Sequence, residues 1–290
     1  MPKIRKAIIP AAGYGTSFLP ATKAFAKEML PIVDKPIIQF IVEEALASGI
    51  EEILIITGKS KRPIEDHFDS NIELENNLES KGKTALLELV QSTPKAHLYF
   101  KRQSYPRGLG DAILQAKAFV AGEPFAVLLG DNIMESDTPV MKQLIDLYDE
   151  THAANFAVLE VSPEETAQYG IVDIANERTT GVYNVQRLVE KPAPSQAPSN
   201  LAIAGRYILT PEIFEILEKL EPTVEDEVQL TDAIHILNQT QRVFAKKIDG
   251  TRYDVGNKLG FMKKSIQYGL IHPETKDEFK EYLLNLAKKL

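Results

Sequence analysis

The chain has no cysteine and no tryptophan among its 290 residues. Without cysteine there is no disulfide framework, no thiol nucleophile and no thiolate metal site. Five histidines, His67, His97, His152, His235 and His272, are scattered along the chain. They show no metal-ligand spacing and read as surface or packing residues. Long apolar runs are also missing, and none approaches the ~20 residues that a membrane helix needs. The N-terminus, MPKIRKAIIP, is basic but reaches Pro10 at once. It lacks the apolar core and small-residue cleavage site of a signal peptide. Cytoplasm is the expected location, with no membrane partner. Nor is there a basic excess: 33 Lys and Arg face 41 Asp and Glu, a formal net charge of -8. General nucleic-acid binders are normally basic, so no nucleic-acid partner is expected. Any polyanion held here must meet a local basic cluster.

One such cluster opens the chain, in the segment AIIPAAGYGTSFLPATKAFAKEMLPIVDKP (residues 7–36). Ala7-Ile8-Ile9 is an apolar run of the kind that makes a buried strand. It leads into a long stretch with Gly13 and Gly15, the small residues Ala11, Ala12 and Thr16, and the lysines Lys23, Lys27 and Lys35. Small residues let backbone approach a ligand, and exposed N–H groups and lysines attract phosphate. The segment therefore reads as a loop for a nucleoside triphosphate. Two familiar phosphate loops fail on single positions. A dinucleotide fingerprint needs a third glycine where Phe18 stands, and a P-loop needs a lysine that Gly15-Thr16-Ser17 lacks.

Further along, Ile37, Ile38, Phe40, Ile41, Ala45 and Leu46 recur at helical spacing, and Ile53–Thr57 forms a continuous buried run. Residues 58–96 are charged and mostly helical in pattern. His97–Phe100, Pro124–Leu129 and Phe156–Leu159 read as strands, alternating with helices from Asp111 and over 139–151. This alternation predicts an α/β fold with an open, mostly parallel sheet flanked by helices. From about 160 to 210 the elements look shorter and richer in β structure, and two helices broken near Pro273 end the chain. A stripe on the last of them, Phe279, Tyr282, Leu283, Leu286 and Leu290, reads as core packing, with an oligomer contact as the alternative. The chain is expected to be one domain, with a nucleotide-binding half at about 1–155, a second half at about 156–256, which the resemblance given below implies is sugar-binding, and C-terminal helices at about 257–290. Asp131, after a buried strand, stands where open α/β sheets bind ligands.

The opening segment closely resembles the signature of the bacterial UTP–glucose-1-phosphate uridylyltransferases, which are sugar-nucleotide pyrophosphorylases. The resemblance extends over nearly the whole chain through FKRQSYPRGLGDA (100–112), LLGD (128–131), YGIV (169–172), EKP (190–192), GRY (205–207), EVQLTDA (227–233) and YDVGNKLGF (253–261). It implies a Rossmann-like nucleotide-diphospho-sugar transferase fold and substrates UTP and glucose 1-phosphate. The implied products are UDP-glucose and pyrophosphate. It also implies Mg²⁺ held by Asp131 and Asp254, and a homodimer or homotetramer. Lys27 is implied to neutralise the triphosphate, and Lys191 to grip the phosphate of the sugar. Ala11, Ala12, Gly13 and Gly15 would expose backbone to the nucleotide, and Gln103 and Gly108 would read the uracil edge. Glu28 is a positioning group, Glu190 faces sugar hydroxyls, and Gly170 and Gly205 keep the sugar pocket open. Asn132 stands where a second aspartate is common, and Glu225 and Asp226 stand where relatives usually have glycines. Ser17 replaces an arginine of the signature. That exchange leaves an alternative reading, a catalytically impaired variant or paralogue that binds UTP or UDP-glucose as a regulator or partner.

Overall fold

A computed structural model describes residues 3–94, 96–223 and 226–289; Glu225 and Leu290, singled out above, lie outside them. The apolar run Ala7-Ile8-Ile9 forms strand β1 (Lys6–Pro10) and is buried on both sides. Ala7 and Ile9 point into one apolar cluster and Ile8 into the other. A strand with both faces covered has no polar face, so its sequence is continuous rather than alternating. A short hairpin follows, β2 (Pro31–Ile32) with β3 (Lys35–Pro36). Then come β4 (Glu52–Thr57), β5 (His97–Arg102), β6 (Phe125–Leu128) and β7 (Asn132–Glu135). The remaining strands are β8 (Asn155–Glu160), β9 (Gly170–Thr179), β10 (Val182–Glu190), β11 (Leu201–Leu209), β12 (Phe244–Lys247) and β13 (Thr251–Asp254).

Among the described residues nine strands make the main sheet, in the order β5-β4-β1-β6-β11-β8-β12-β10-β9. Helices cover both faces. Ile37–Ala47 and Val140–Thr151 bury their apolar stripes in the cluster that holds Ile9, Ile55 and Leu128. Gly108–Leu114, Ile213–Leu217 and Leu230–Thr240 cover the opposite face with Ile8, Phe125 and Val127. Among the described residues no helix is long and apolar enough to cross a membrane.

The expectation of an open, mostly parallel sheet holds only for β5, β4, β1 and β6, which pair in parallel. From β11 onward the sheet is mixed. β11 runs antiparallel to β6 and β8, β12 is parallel to β8, and β10 is antiparallel to β12 and β9. Ala202 of β11 also pairs with Ile171 of β9, so the second half curls back on itself instead of remaining open. The cause is local. Only Thr180-Gly181 separates β9 from β10, and a two-residue turn allows an antiparallel return but no crossover. Register breaks along β10 and between Ile203 and Tyr207 of β11 add the bending that closure requires. The C-terminal stripe is a second correction. Helix Lys276–Ala287 buries none of its residues, and Tyr282 and Leu286 are exposed, because the helix lies outside the two-faced core.

Candidate active site

The carboxyl ends of β1 and β6 open into one cleft of about 490 Å³. Its lining brings together Ala11, Ala12, Gly13, Lys27, Glu28, Gln103, Gly108 and Asp131. Gly15 is buried beside the cleft in a left-handed turn, and its carbonyl accepts a bond from the Thr22 hydroxyl at 2.6 Å. Lys27 lies in a short turn, Lys27–Met29, which aims its ammonium at Asp131 Oδ2, 2.5 Å away. Burial alone would lower the Lys27 pKa, but Asp131, Glu28 and Asp254 outweigh it and hold the ammonium above its usual range. Burial alone would raise Asp131. The Lys27 charge and the Asn132 amide, which donates to Oδ1 at 2.9 Å, outweigh that and keep the carboxyl low. Asp131 is therefore an anion at neutral pH.

Asp254 reaches the same place through a small antiparallel ribbon of β7 and β13, in which it pairs with Asn132. Val255 N–H also bonds the Asp131 carbonyl at 3.0 Å. Gly256 marks where the carboxylates meet. A Cβ there would lie 2.7 Å from Asp131 Oδ2 and 3.1 Å from Asp254 Oδ1. Two hard oxygen ligands around a gap without a side chain suit a divalent cation that completes its shell with phosphate and water. Among the described residues no group of three or more His, Cys, Asp or Glu side chains converges. The Tyr169 hydroxyl holds Asp254 Oδ2 at 3.0 Å, and the Arg252 guanidinium covers the Tyr169 ring at 4.0 Å. Burial and the Asp254 charge push the Tyr169 hydroxyl up to about 12 against the opposing pull of Arg252, so it stays a donor.

The predicted sugar-side residues adjoin this ribbon. The Lys191 backbone N–H donates to the Tyr169 carbonyl at 3.0 Å, and Lys191 sits in the left-handed region with φ 43°. Its side chain is exposed. Glu190 accepts from the Thr231 hydroxyl at 2.6 Å, and both pack against Gly170, where a Cβ would lie 3.0 Å from Glu190 Oε2. Gly205 faces the Leu129 side chain rather than open space. Gln103, predicted on the nucleotide side, donates from its amide to Asp111 Oδ2 at 2.5 Å. The Ser17 hydroxyl donates to Gly256 O at 2.5 Å and links the opening loop to the Asp254 loop.

Sequence reasoning missed Lys61, which is buried and bonds Glu28 Oε2 at 2.7 Å. Burial pushes Glu28 up, against the pull of Lys61 and Lys27. It also missed that Arg206 is fully buried and pairs with Glu44, Nη2 to Oε2 at 2.6 Å. Lys61 and Glu44 carry no motif, and a lysine beside Ser60 gives no hint of burial.

Residues 6–269 match the nucleotidyl transferase family. A UTP–glucose-1-phosphate uridylyltransferase of Streptococcus pneumoniae serotype 4 is 63% identical, over 99% of this chain and 98% of its own. A second, from Streptococcus pyogenes serotype M3, is 64% identical, over 100% and 98%. Among solved structures, a UDP-glucose pyrophosphorylase complexed with UDP-glucose superposes with a TM-score of 0.82 at 44% identity, covering 91% of this chain and 98% of its own. The UTP-bound enzyme of Acinetobacter baumannii gives 0.90 at 41% identity, covering 98% and 99%. The chain belongs to the nucleotidyl transferase family, within the group of the bacterial UTP–glucose-1-phosphate uridylyltransferases.

Proposed function

We propose that the protein joins UTP to glucose 1-phosphate, making UDP-glucose and releasing pyrophosphate. One observation carries this reading: Asp131 and Asp254 converge around Gly256 at the mouth of a cleft lined by the glycine loop and Lys27. The relatives' names supply the substrates, UTP and glucose 1-phosphate. A phosphate oxygen of the sugar phosphate attacks the α-phosphorus of UTP in line, and the bond to the β-phosphate bridging oxygen breaks. Such a transfer needs positioning and charge stabilisation rather than a protein nucleophile, which suits a chain without cysteine.

Ala11, Ala12, Gly13 and Gly15 present backbone to the nucleotide, while Gln103 and Gly108 meet the uracil edge. Lys27 passes from Asp131 to the triphosphate and offsets the charge of the leaving pyrophosphate. Lys191 holds the sugar phosphate, and Glu190, Gly170 and Gly205 shape the sugar side. Asp131 and Asp254 would hold Mg²⁺, with Asn132 steadying Asp131. A bound Mg²⁺ neutralises phosphate charge and polarises the phosphoryl group. The substrates are charged metabolites, so we assign the reaction to the cytoplasm. The exposed apolar face of helix Lys276–Ala287 supports a contact between copies in a homodimer or homotetramer.

The test is direct. Protein, Mg²⁺, UTP and glucose 1-phosphate are mixed and pyrophosphate is measured. Release should require both substrates and the divalent cation. Background release with intact UDP-glucose binding would overturn catalysis in favour of a binding protein.

A further inference from the structure

Arg206 is fully buried, at 0% exposure, in the middle of β11. Its parity along the strand matches that of Ala204 and Ile208, which face helix Ile37–Ala47. There it meets Glu44. Nε lies 3.1 Å from both Glu44 oxygens, and Nη2 donates to Oε2 at 2.6 Å. The remaining donors go to backbone: Nη1 to Gly205 O at 3.0 Å and Leu129 O at 3.5 Å, and Nη2 to Asn132 O at 2.7 Å. All five N–H groups of the guanidinium thus have partners. Glu44 also accepts the Met141 N–H at 3.1 Å, at the start of helix Val140–Thr151.

Two of those carbonyls, Leu129 O and Asn132 O, bracket Gly130-Asp131. Here β6 has ended and β7 is only beginning, so the turn lacks a regular ladder. A buried ion pair contributes little net stability over apolar residues of the same volume. Stability alone therefore does not account for a buried charge at this place. A planar fork that grips both sides of one turn does account for it, because it fixes where the turn's side chain points.

Resting on the function proposed above, we propose that Arg206, held by Glu44, is a positioning residue. It clamps the Leu129–Asn132 turn from below and so aims the Asp131 carboxylate at Gly256 and Lys27. Arg206 touches no substrate in this arrangement and acts through Asp131.

Arg206→Lys tests this. Lysine keeps the charge beside Glu44 but cannot span both carbonyls. A displaced catalytic group costs on the order of a hundredfold in rate. The variant should lose about that much kcat, need more Mg²⁺ for half-maximal rate, and keep its UTP KM. In the metal-free protein, amide exchange at Gly130–Asn132 should quicken while the rest of β6 and β11 is unchanged. Unchanged kcat and exchange would overturn the proposal. So would a loss matched by a lower folded fraction with the Mg²⁺ dependence intact, since that is only a structural effect. If Arg206→Lys does not fold, the double variant Arg206→Met with Glu44→Met removes the buried charges together, and the same readings apply. Wild-type protein is run alongside. Its failure to release pyrophosphate sinks the proposed function, whereas an active wild type beside an equally active variant sinks only the clamp.

Discussion

Gly256 is where the two aspartates depend on the absence of an atom. A methyl at this position would lie 2.7 Å from Asp131 Oδ2, inside contact distance, with Asp254 Oδ1 at 3.1 Å. One carboxylate must turn away or the loop must shift. Gly256→Ala is therefore expected to fold and to lose on the order of a hundredfold in kcat, with weaker Mg²⁺ activation, because small displacements at a reacting centre are costly. A metal titration of the rate checks it, and wild-type Mg²⁺ dependence would refute it. Ser17 needs a different argument. The family signature makes it a lost cation, while the structure makes it a link, with Oγ donating to Gly256 O at 2.5 Å. A neutral hydrogen bond is worth about 1 kcal/mol. Ser17→Ala should raise the KM for UTP roughly fivefold, by the usual conversion of free energy to a ratio, with little change in Tm. An unchanged KM in steady-state kinetics would reduce the bond to a surface contact. These two residues mark what can be read from sequence. Asp131, Asp254, Lys27 and Gln103 were named from motifs. Lys61 and the Arg206–Glu44 pair were not foreseen, because a partner brought from a distant segment leaves no local pattern.

At the level of elements, long apolar runs were legible and short ribbons were not. β1, β4 and β6 are buried on both faces, so they stand out as continuous hydrophobic stretches. β7 and β13 have four residues each, too few for an alternation to show, yet their pairing carries Asp254 to Asn132 and sets the two aspartates side by side. The closure of the second half was likewise hidden, since one pair, Ala202 with Ile171, makes the join. The start of β1 offers an element-scale test. Arg5 and Lys6 both engage Glu123, and Arg5 also bonds Glu52 at the head of β4. Hydrogen bonds from Arg5 and then Lys6 draw the Glu123 carboxyl from its ordinary 4.5 down to about 2. A carboxyl that titrates lower when folded adds stability in full above its unfolded pKa and loses it as pH falls through the folded one. Glu123→Gln should therefore melt slightly below wild type at neutral pH. The gap should narrow below pH 4.5 and close near 2. Melting curves across that range decide it, and a gap that does not change with pH would assign the effect to packing.

Across the whole molecule, the sheet runs without a break from the edge strand β5 through β6 into β11, where Arg206–Leu209 pair with Phe125–Leu128. The same junction carries Arg206 beneath Asp131. The cleft crosses it as well, with lining from residues 10–28, 103–112 and 129–131 and from Glu227. A boundary near residue 155 therefore falls inside a continuous sheet and a shared core, not in a linker. A core shared by both halves couples their opening into one cooperative unit. One calorimetric transition is expected. UDP-glucose with Mg²⁺ should move all of it, because in the proposed function the ligand meets residues of both halves and so binds only the intact molecule. At about a hundred times its Kd such a ligand adds about 2.7 kcal/mol. For a chain of this size that is a shift of about 4 °C. UTP or glucose 1-phosphate alone, at matched saturation, should also move the whole transition. Two transitions, with the ligand raising only one of them, would mean that the halves are separate folding units and that the catalytic cleft is assembled at an interface between domains.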